Sequence, residues 1–204
     1  MLIKMYSQSP SHKHLRRVVE VLEEGGLVIY PTDTVYAIGC SIDKPRALER
    51  LAQLKGVNPK NPELSFIFSD LQQVAEYTPP LDKTLFRLLK HNLPGPFTFI
   101  LPANNKVPKL FKGKKRTLGV RIPDCNITRE LVRLLGKPLL SASIHDEDEV
   151  IDYTTDPELI HEKYKDIADV VIDGGYGKNV ASTVVDCTGD EPVIIRQGIG
   201  ELEV

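Results

Sequence analysis

The segment Leu27-Val-Ile-Tyr30 reads as a buried strand, and it runs straight into Pro31-Thr32-Asp33-Thr34 before an expected turn at Gly39. Small hydroxyls and a carboxylate at a strand end are placed where α/β sheets bind ligands. Thr32 and Thr34 can donate to a carboxylate or phosphate, while Asp33 can accept from an amine or hold a metal. The same residues also suit a turn whose Thr and Asp side chains bond to their own backbone. Arg121 is the second anomaly, because a guanidinium inside the apolar strand Leu118–Ile122 is expensive to bury without an anion. Its partner is either an internal Asp or Glu or a bound acid or phosphoryl group, which the guanidinium fork matches. Lys112, Lys114, Lys115 and Arg116 gather positive charge in a glycine-containing loop. That loop is either solvated or the contact for an RNA backbone.

Further along, Ser141 and Ser143 emerge at the end of a strand and can bond phosphate oxygens. No G-x-S-x-G elbow surrounds them, which argues against a nucleophilic serine. His145 has no obvious partner, and the acidic run 146–149 reads as a solvated loop. Gly174-Gly-Tyr-Gly177 precedes Ser182-Thr-Val-Val-Asp186, and Arg196-Gln-Gly198 follows. Those glycines either approach an anion closely or supply positive φ. Pro94-Gly-Pro96 reads as a rigid corner that offers only Thr98 as a polar group.

The elements that must position these groups follow from periodicity. Leu15, Val18, Val19 and Leu22 recur at helical spacing until Gly25-Gly26, and Asp43 can cap a second helix through Leu54. Further helices are expected over 71–77, 81–92, 127–135 and 157–164, with Asn126 and Asp156 as caps and Pro157 in the first turn. Strands are expected over 64–68, 97–101, 118–122, 138–142, 169–173, 183–186 and 193–196. Alternating short strands and amphipathic helices imply an α/β or α+β sheet domain, taken as one unit over 1–204.

With 26 basic and 28 acidic residues among 204, the net charge of -2 provides no global field for a polyanion, so any nucleic-acid site must be a local patch. Cys40, Cys125 and Cys187 have neither C-x-x-C spacing nor histidine partners, which excludes a disulfide framework and a structural zinc as readings. No stretch approaches the roughly 20 apolar residues of a membrane helix. A reducing, cytoplasmic location is expected.

Taken in order, P-T-D-T-V-Y-A-I-G, P-G-P-F-T-F, G-V-R-I-P, S-A-S, G-G-Y-G, S-T-V-V-D and R-Q-G resemble the YrdC/YciO family of threonylcarbamoyl-AMP synthases and their relatives. The motifs run from about residue 10 to about residue 200 and leave no room for the extra C-terminal domain of some family enzymes. The resemblance implies a twisted open mixed sheet flanked by helices, with a concave, positively charged face. It implies a reaction of L-threonine, bicarbonate and ATP, with Mg²⁺, giving threonylcarbamoyl-AMP and diphosphate for N6-threonylcarbamoyladenosine modification of tRNA. Binding of double-stranded RNA is also implied.

By position, Thr34, Arg121 and Ser182 would hold the threonine, with Thr32 lining the same pocket. Lys55, Thr117, Ser141, Ser143 and Arg196 would face the nucleotide, with Lys55 and Arg121 as the catalytic cations. Lys112, Lys114, Lys115 and Arg116 would meet RNA. Three departures resemble the YciO branch. Lys-x-Arg is Lys55-Gly56-Val57 here, Ser-x-Asn is Ser141-Ala142-Ser143, and the strand from Leu64 to Phe68 lacks a histidine.

Overall fold

Helix α1 (His12–Glu23) buries Leu15, Val18, Val19 and Leu22, and its N-cap Ser11 accepts a hydrogen bond from the His14 amide. It stops where Gly25 turns the chain with φ of 87°, a conformation only glycine adopts without strain. A computed structural model describes residues 1–54, 64–108, 116–144 and 152–203. The remaining helices there are α2 (Pro45–Leu54), α3 (Leu71–Ala75), α4 (Lys83–Asn92), α5 (Asn126–Leu135), α6 (Asp152–Thr155) and α7 (Pro157–Tyr164). Asp82 and Asp156 cap α4 and α7 through their carboxylates, with Pro157 opening α7.

The strands are β1 (Leu2–Lys4), β2 (Val28–Tyr30), β3 (Ala37–Ser41), β4 (Ser65–Ile67), β5 (Phe97–Pro102), β6 (Thr117–Arg121), β7 (Leu139–Ser143), β8 (Val170–Asp173), β9 (Thr183–Asp186) and β10 (Val193–Arg196). They form one mixed sheet in the order β1-β8-β2-β3-β7-β4-β6-β5-β9-β10.

Register gives the two faces opposite characters. Cys40, Leu140, Phe66, Val120, Phe99 and Val185 lie side by side across six strands. All six are buried in the larger core, which also takes Leu48 and Leu51 of α2, Leu88 and Leu89 of α4, and Ile160 of α7. One residue along, the opposite face carries Gly39, Ser141, Ser65, Gly119, Ile100 and Asp186 in the same row. Helices α1 and α5 cover part of that face, packing on Val28, Tyr30, Ala37, Ile67 and Leu139. Beyond them Ser65, Thr98, Ile100, Thr117, Gly119 and Val184 are only half-buried. The sheet therefore has one sealed face and one face sealed only in part.

Several expectations are corrected. Gly39 sits inside β3 and does not turn the chain. Asp43 does not cap α2: its carboxylate accepts from Ser41 Oγ at 2.7 Å and pairs with Lys137. Asn126 is the first residue of α5, not its cap, and its side-chain Nδ2 donates to the Ser7 carbonyl at 2.9 Å. β1 and α6 were not expected; at three and four residues they are too short to show a period.

Among the described residues no helix is long and apolar enough to cross a membrane. All three cysteines are free thiols. Burial pushes Cys40 from 9.0 up to about 12 and Cys187 up to about 11. The thiolate is the nucleophile, so native Cys40 should be alkylated by iodoacetamide at pH 8 at least ~100-fold more slowly than the same thiol in urea. Mass spectrometry of timed digests reads this, and equal rates would contradict the packing around β3. The fold binds these protons more tightly than the unfolded chain does, so their contribution to stability is lost as pH rises above the ordinary thiol value.

Candidate functional site

The loop joining β2 to β3 is built on a threonine turn. Thr32 Oγ1 accepts from the Thr34 amide at 3.0 Å and donates to the Val35 carbonyl at 2.7 Å. The local-turn reading of this segment is thus realised, and it does not compete with a site. By spending Thr32 on the backbone the loop drives Thr34 inward, where its hydroxyl lies 3.1 Å from that of Thr32. Arg121, at the end of β6, donates from Nη2 to Thr34 Oγ1 at 2.9 Å and to Asp33 Oδ1 at 3.2 Å. The other oxygen of Asp33 accepts from the Asp124 amide at 2.9 Å. Both carboxylate oxygens thus have a partner within the chain.

Of the two partners open to Arg121, the internal acid is present, yet it does not satisfy the guanidinium. Arg121 is 3% exposed, and its buried Nε–H has no hydrogen-bond partner among the described residues. A buried donor left unpaired costs about 1–3 kcal/mol, so such an atom marks a strained or functional position. Burial also pushes the Arg121 guanidinium below its ordinary range and the Asp33 carboxyl above its own, while their mutual attraction opposes both shifts.

A second group gathers at β5, β9 and β10. Ser182 Oγ lies 2.8 Å from Thr98 Oγ1, and Arg196 Nη2 donates to the Ser182 carbonyl at 3.0 Å. Thr98 is therefore part of the site, not merely the end of the proline-glycine corner. The charge of Arg196 is close enough to count against that of Arg121. Thr98 also packs over Gly119, where an added Cβ would stand 3.2 Å from its methyl group. Ser141 is the third member, buried in mid-sheet and bonded to Tyr30 at 2.6 Å, a tyrosine close enough to Arg121 to feel its charge. Thr34, Arg121, Ser182, Arg196 and Ser141 thus come from five segments, and register puts Ser141, Arg121 and Thr98 on the same face of the sheet.

Comparison with known proteins decides what this arrangement belongs to. A family model for Sua5, YciO and YrdC, described as "Telomere recombination", matches residues 20–198. This chain belongs to the Sua5/YciO/YrdC family. It is 34% identical to YciO of Escherichia coli K12 over 201 residues, covering 98% of this chain and 96% of that protein. The crystal structure of E. coli YciO superposes with a TM-score of 0.90 over 100% of this chain and 98% of the other. A threonylcarbamoyl-AMP synthase of Vibrio campbellii is 30% identical over 189 residues, 91% of this chain and 100% of its own length. Sua5 of Pyrococcus abyssi, in a crystal structure complexed with L-threonine, matches at a TM-score of 0.85 and 28% identity. That alignment covers 97% of this chain and 57% of the other.

The other residues singled out in this family member divide clearly. Thr117 is half-buried at the start of β6, and Ser143 is exposed at the end of β7, both on the partly open face. Arg116 donates to Asn105 Oδ1 at 2.8 Å. Lys55, Lys112, Lys114 and Lys115 lie outside the described residues, as do Gly56, Val57 and the segment from His145 to Glu149. In the Gly174–Gly177 loop the positive-φ alternative is realised at Gly175, and the loop is tied to Tyr36. Tyr36 donates to the Gly175 carbonyl at 2.7 Å and accepts from the Gly174 amide at 3.1 Å. Gly175 has φ of 94°, while the Lys178 amide donates to the Thr34 carbonyl at 3.0 Å. Tyr36, Tyr30 and the Asp124 amide were missed as site-supporting groups. Only the run V-Y-A-I, apolar on both sides of Tyr36, hinted that the phenol is buried and needs a partner.

Proposed function

We propose that this protein binds L-threonine and a nucleotide over the half-covered face and carries out threonylcarbamoyl-AMP synthase chemistry. The observation that carries the reading is Arg121, a buried guanidinium held by Asp33 and Thr34 with its Nε–H still unpaired. Such a group captures a small carboxylate, and a Pyrococcus relative of 28% identity binds L-threonine. Thr34, Arg121 and Ser182 hold the amino acid, and Thr32 shapes the loop. Thr117, Ser141, Ser143 and Arg196 face the nucleotide, with Lys55 reaching its phosphates. The threonine nitrogen adds to bicarbonate, water leaves, and a carbamate oxygen attacks the α-phosphorus while diphosphate departs. The cations neutralise charge that accumulates at the leaving group, and positioning does the rest.

Among the described residues no three His, Cys, Asp or Glu side chains gather to hold a metal. Mg²⁺ enters with ATP, its ligands supplied largely by the substrate phosphates, as is usual for this ion in nucleotide sites. The product is used in tRNA modification, and the cytoplasm supplies ATP together with the reducing conditions that suit three free thiols.

Incubating the pure protein with radiolabelled bicarbonate, L-threonine, ATP and Mg²⁺ should yield threonylcarbamoyl-AMP and diphosphate in equal amounts. Absence of both products sinks the synthase reading. A second reading, an RNA-binding module with little synthase activity, is favoured by Ser143, which stands where the synthase pattern has an asparagine. That outcome is recognised by salt-sensitive binding to duplex RNA or tRNA without adenylate formation.

A further inference from the structure

Tyr30 is fully buried at the end of β2, and its hydroxyl donates to Ser141 Oγ on β7. The two strands are not neighbours, because β3 lies between them. The ring reaches across β3 at Gly39: a Cβ there would stand 2.8 Å from the Tyr30 hydroxyl and 3.0 Å from Cε1. It would also meet the Leu140 carbonyl at 2.6 Å. Gly39 is thus the gap through which Tyr30 touches Ser141, and this is why a glycine stands in mid-strand.

A buried tyrosine needs one acceptor for its proton, and a nearby backbone carbonyl would serve if packing were the only demand. Here the acceptor is a serine in the floor of the partly open face, beside Ser65 and Gly119. A serine hydroxyl has one proton and two lone pairs. With the Tyr30 proton on one lone pair, the Ser141 proton is turned away from Tyr30. The serine is then held as a donor, the orientation that an anionic oxygen requires. Burial pushes the phenol well above its ordinary value, so Tyr30 stays protonated throughout the neutral range.

We infer that Tyr30 is a positioning residue that acts through Ser141, holding the serine hydroxyl as a hydrogen-bond donor to a phosphate oxygen of the nucleotide. This rests on the nucleotide reading above. The contact is second-hand for Tyr30, so its removal costs pre-organisation, whereas removal of Ser141 costs the bond itself.

The test is a double-mutant cycle on the full chain, with MgATP and L-threonine binding followed by calorimetry and folding checked by thermal melts. S141A should weaken MgATP binding by about 10- to 100-fold and Y30F by about 3- to 10-fold. Y30F/S141A should match S141A within about two-fold, because Tyr30 has no route to the nucleotide except the serine. L-threonine affinity should stay within about two-fold in Y30F, which a general loosening of the sheet would not permit. Additive losses in the double variant, or MgATP binding by Y30F equal to that of the unmodified protein, overturn the assignment while leaving the nucleotide reading intact. Failure of the unmodified protein to bind MgATP at all overturns both.

Discussion

Replacing Arg121 with alanine should abolish L-threonine-dependent turnover, lowering kcat/KM at least ~100-fold through lost charge-assisted bonds. It should also destabilise the fold by about 3–5 kcal/mol. The two losses have different origins. Turnover depends on the unpaired Nε–H and its ligand, whereas stability depends on Asp33, which is 8% exposed and would be left buried without its counter-ion. The Asp124 amide remains as a partner for Asp33 but carries no charge to offset the carboxylate. Combining R121A with D33N removes that orphaned charge and should restore most of the melting temperature without restoring turnover. Measuring melts and kinetics on both variants checks this. R121A with unchanged kinetics would take Arg121 out of the site. An R121A/D33N variant as unstable as R121A would show that the ion pair is not what the fold relies on.

Gly198 is the position where the smallest change should have the next largest effect. An added Cβ would lie 2.3 Å from the Ala181 carbonyl oxygen, 2.4 Å from the Ser182 carbonyl carbon and 2.5 Å from its oxygen. These are backbone atoms and cannot rotate aside. The strand end must instead pull away from the segment before β9, breaking the bonds from the Gly198 amide to Thr183 Oγ1 and from the Ile199 amide to Ala181. Overpacking of this kind costs about 1–3 kcal/mol, or roughly 2–12 °C in a chain of this size. The functional consequence follows from Arg196, whose bond to the Ser182 carbonyl spans the same junction. G198A should therefore weaken binding of both the nucleotide and L-threonine, since the clash displaces Ser182 of the amino-acid pocket together with the Arg196 that it anchors. Unchanged affinity for both ligands would show that this junction does not set the positions of Ser182 and Arg196.

The residues also explain how much was readable before the fold was known. The amphipathic stripe of α1, the cap of α7 and strands such as β5, β9 and β10 are local patterns, written within a dozen consecutive residues. The partner demanded by Arg121 was legible for a similar reason, because a charge inside an apolar run must be met by something. Which acid meets it was not legible. Asp33 lies 88 positions away, and the sequence contains 28 acidic residues.

Gly39 shows the opposite failure. A glycine after hydroxyl residues reads as a turn from local preference, yet here it is an opening in a strand, needed because Tyr30 crosses to Ser141. Composition, periodicity and motif order thus determined the class of fold, the family and the set of candidate side chains. Strand order and register decided which of them touch, which are spent on the backbone and which keep a free donor. The physical reason is range: helix and strand periods are set by neighbours in the chain, whereas contacts across the sheet join residues a hundred positions apart through packing that no local pattern encodes.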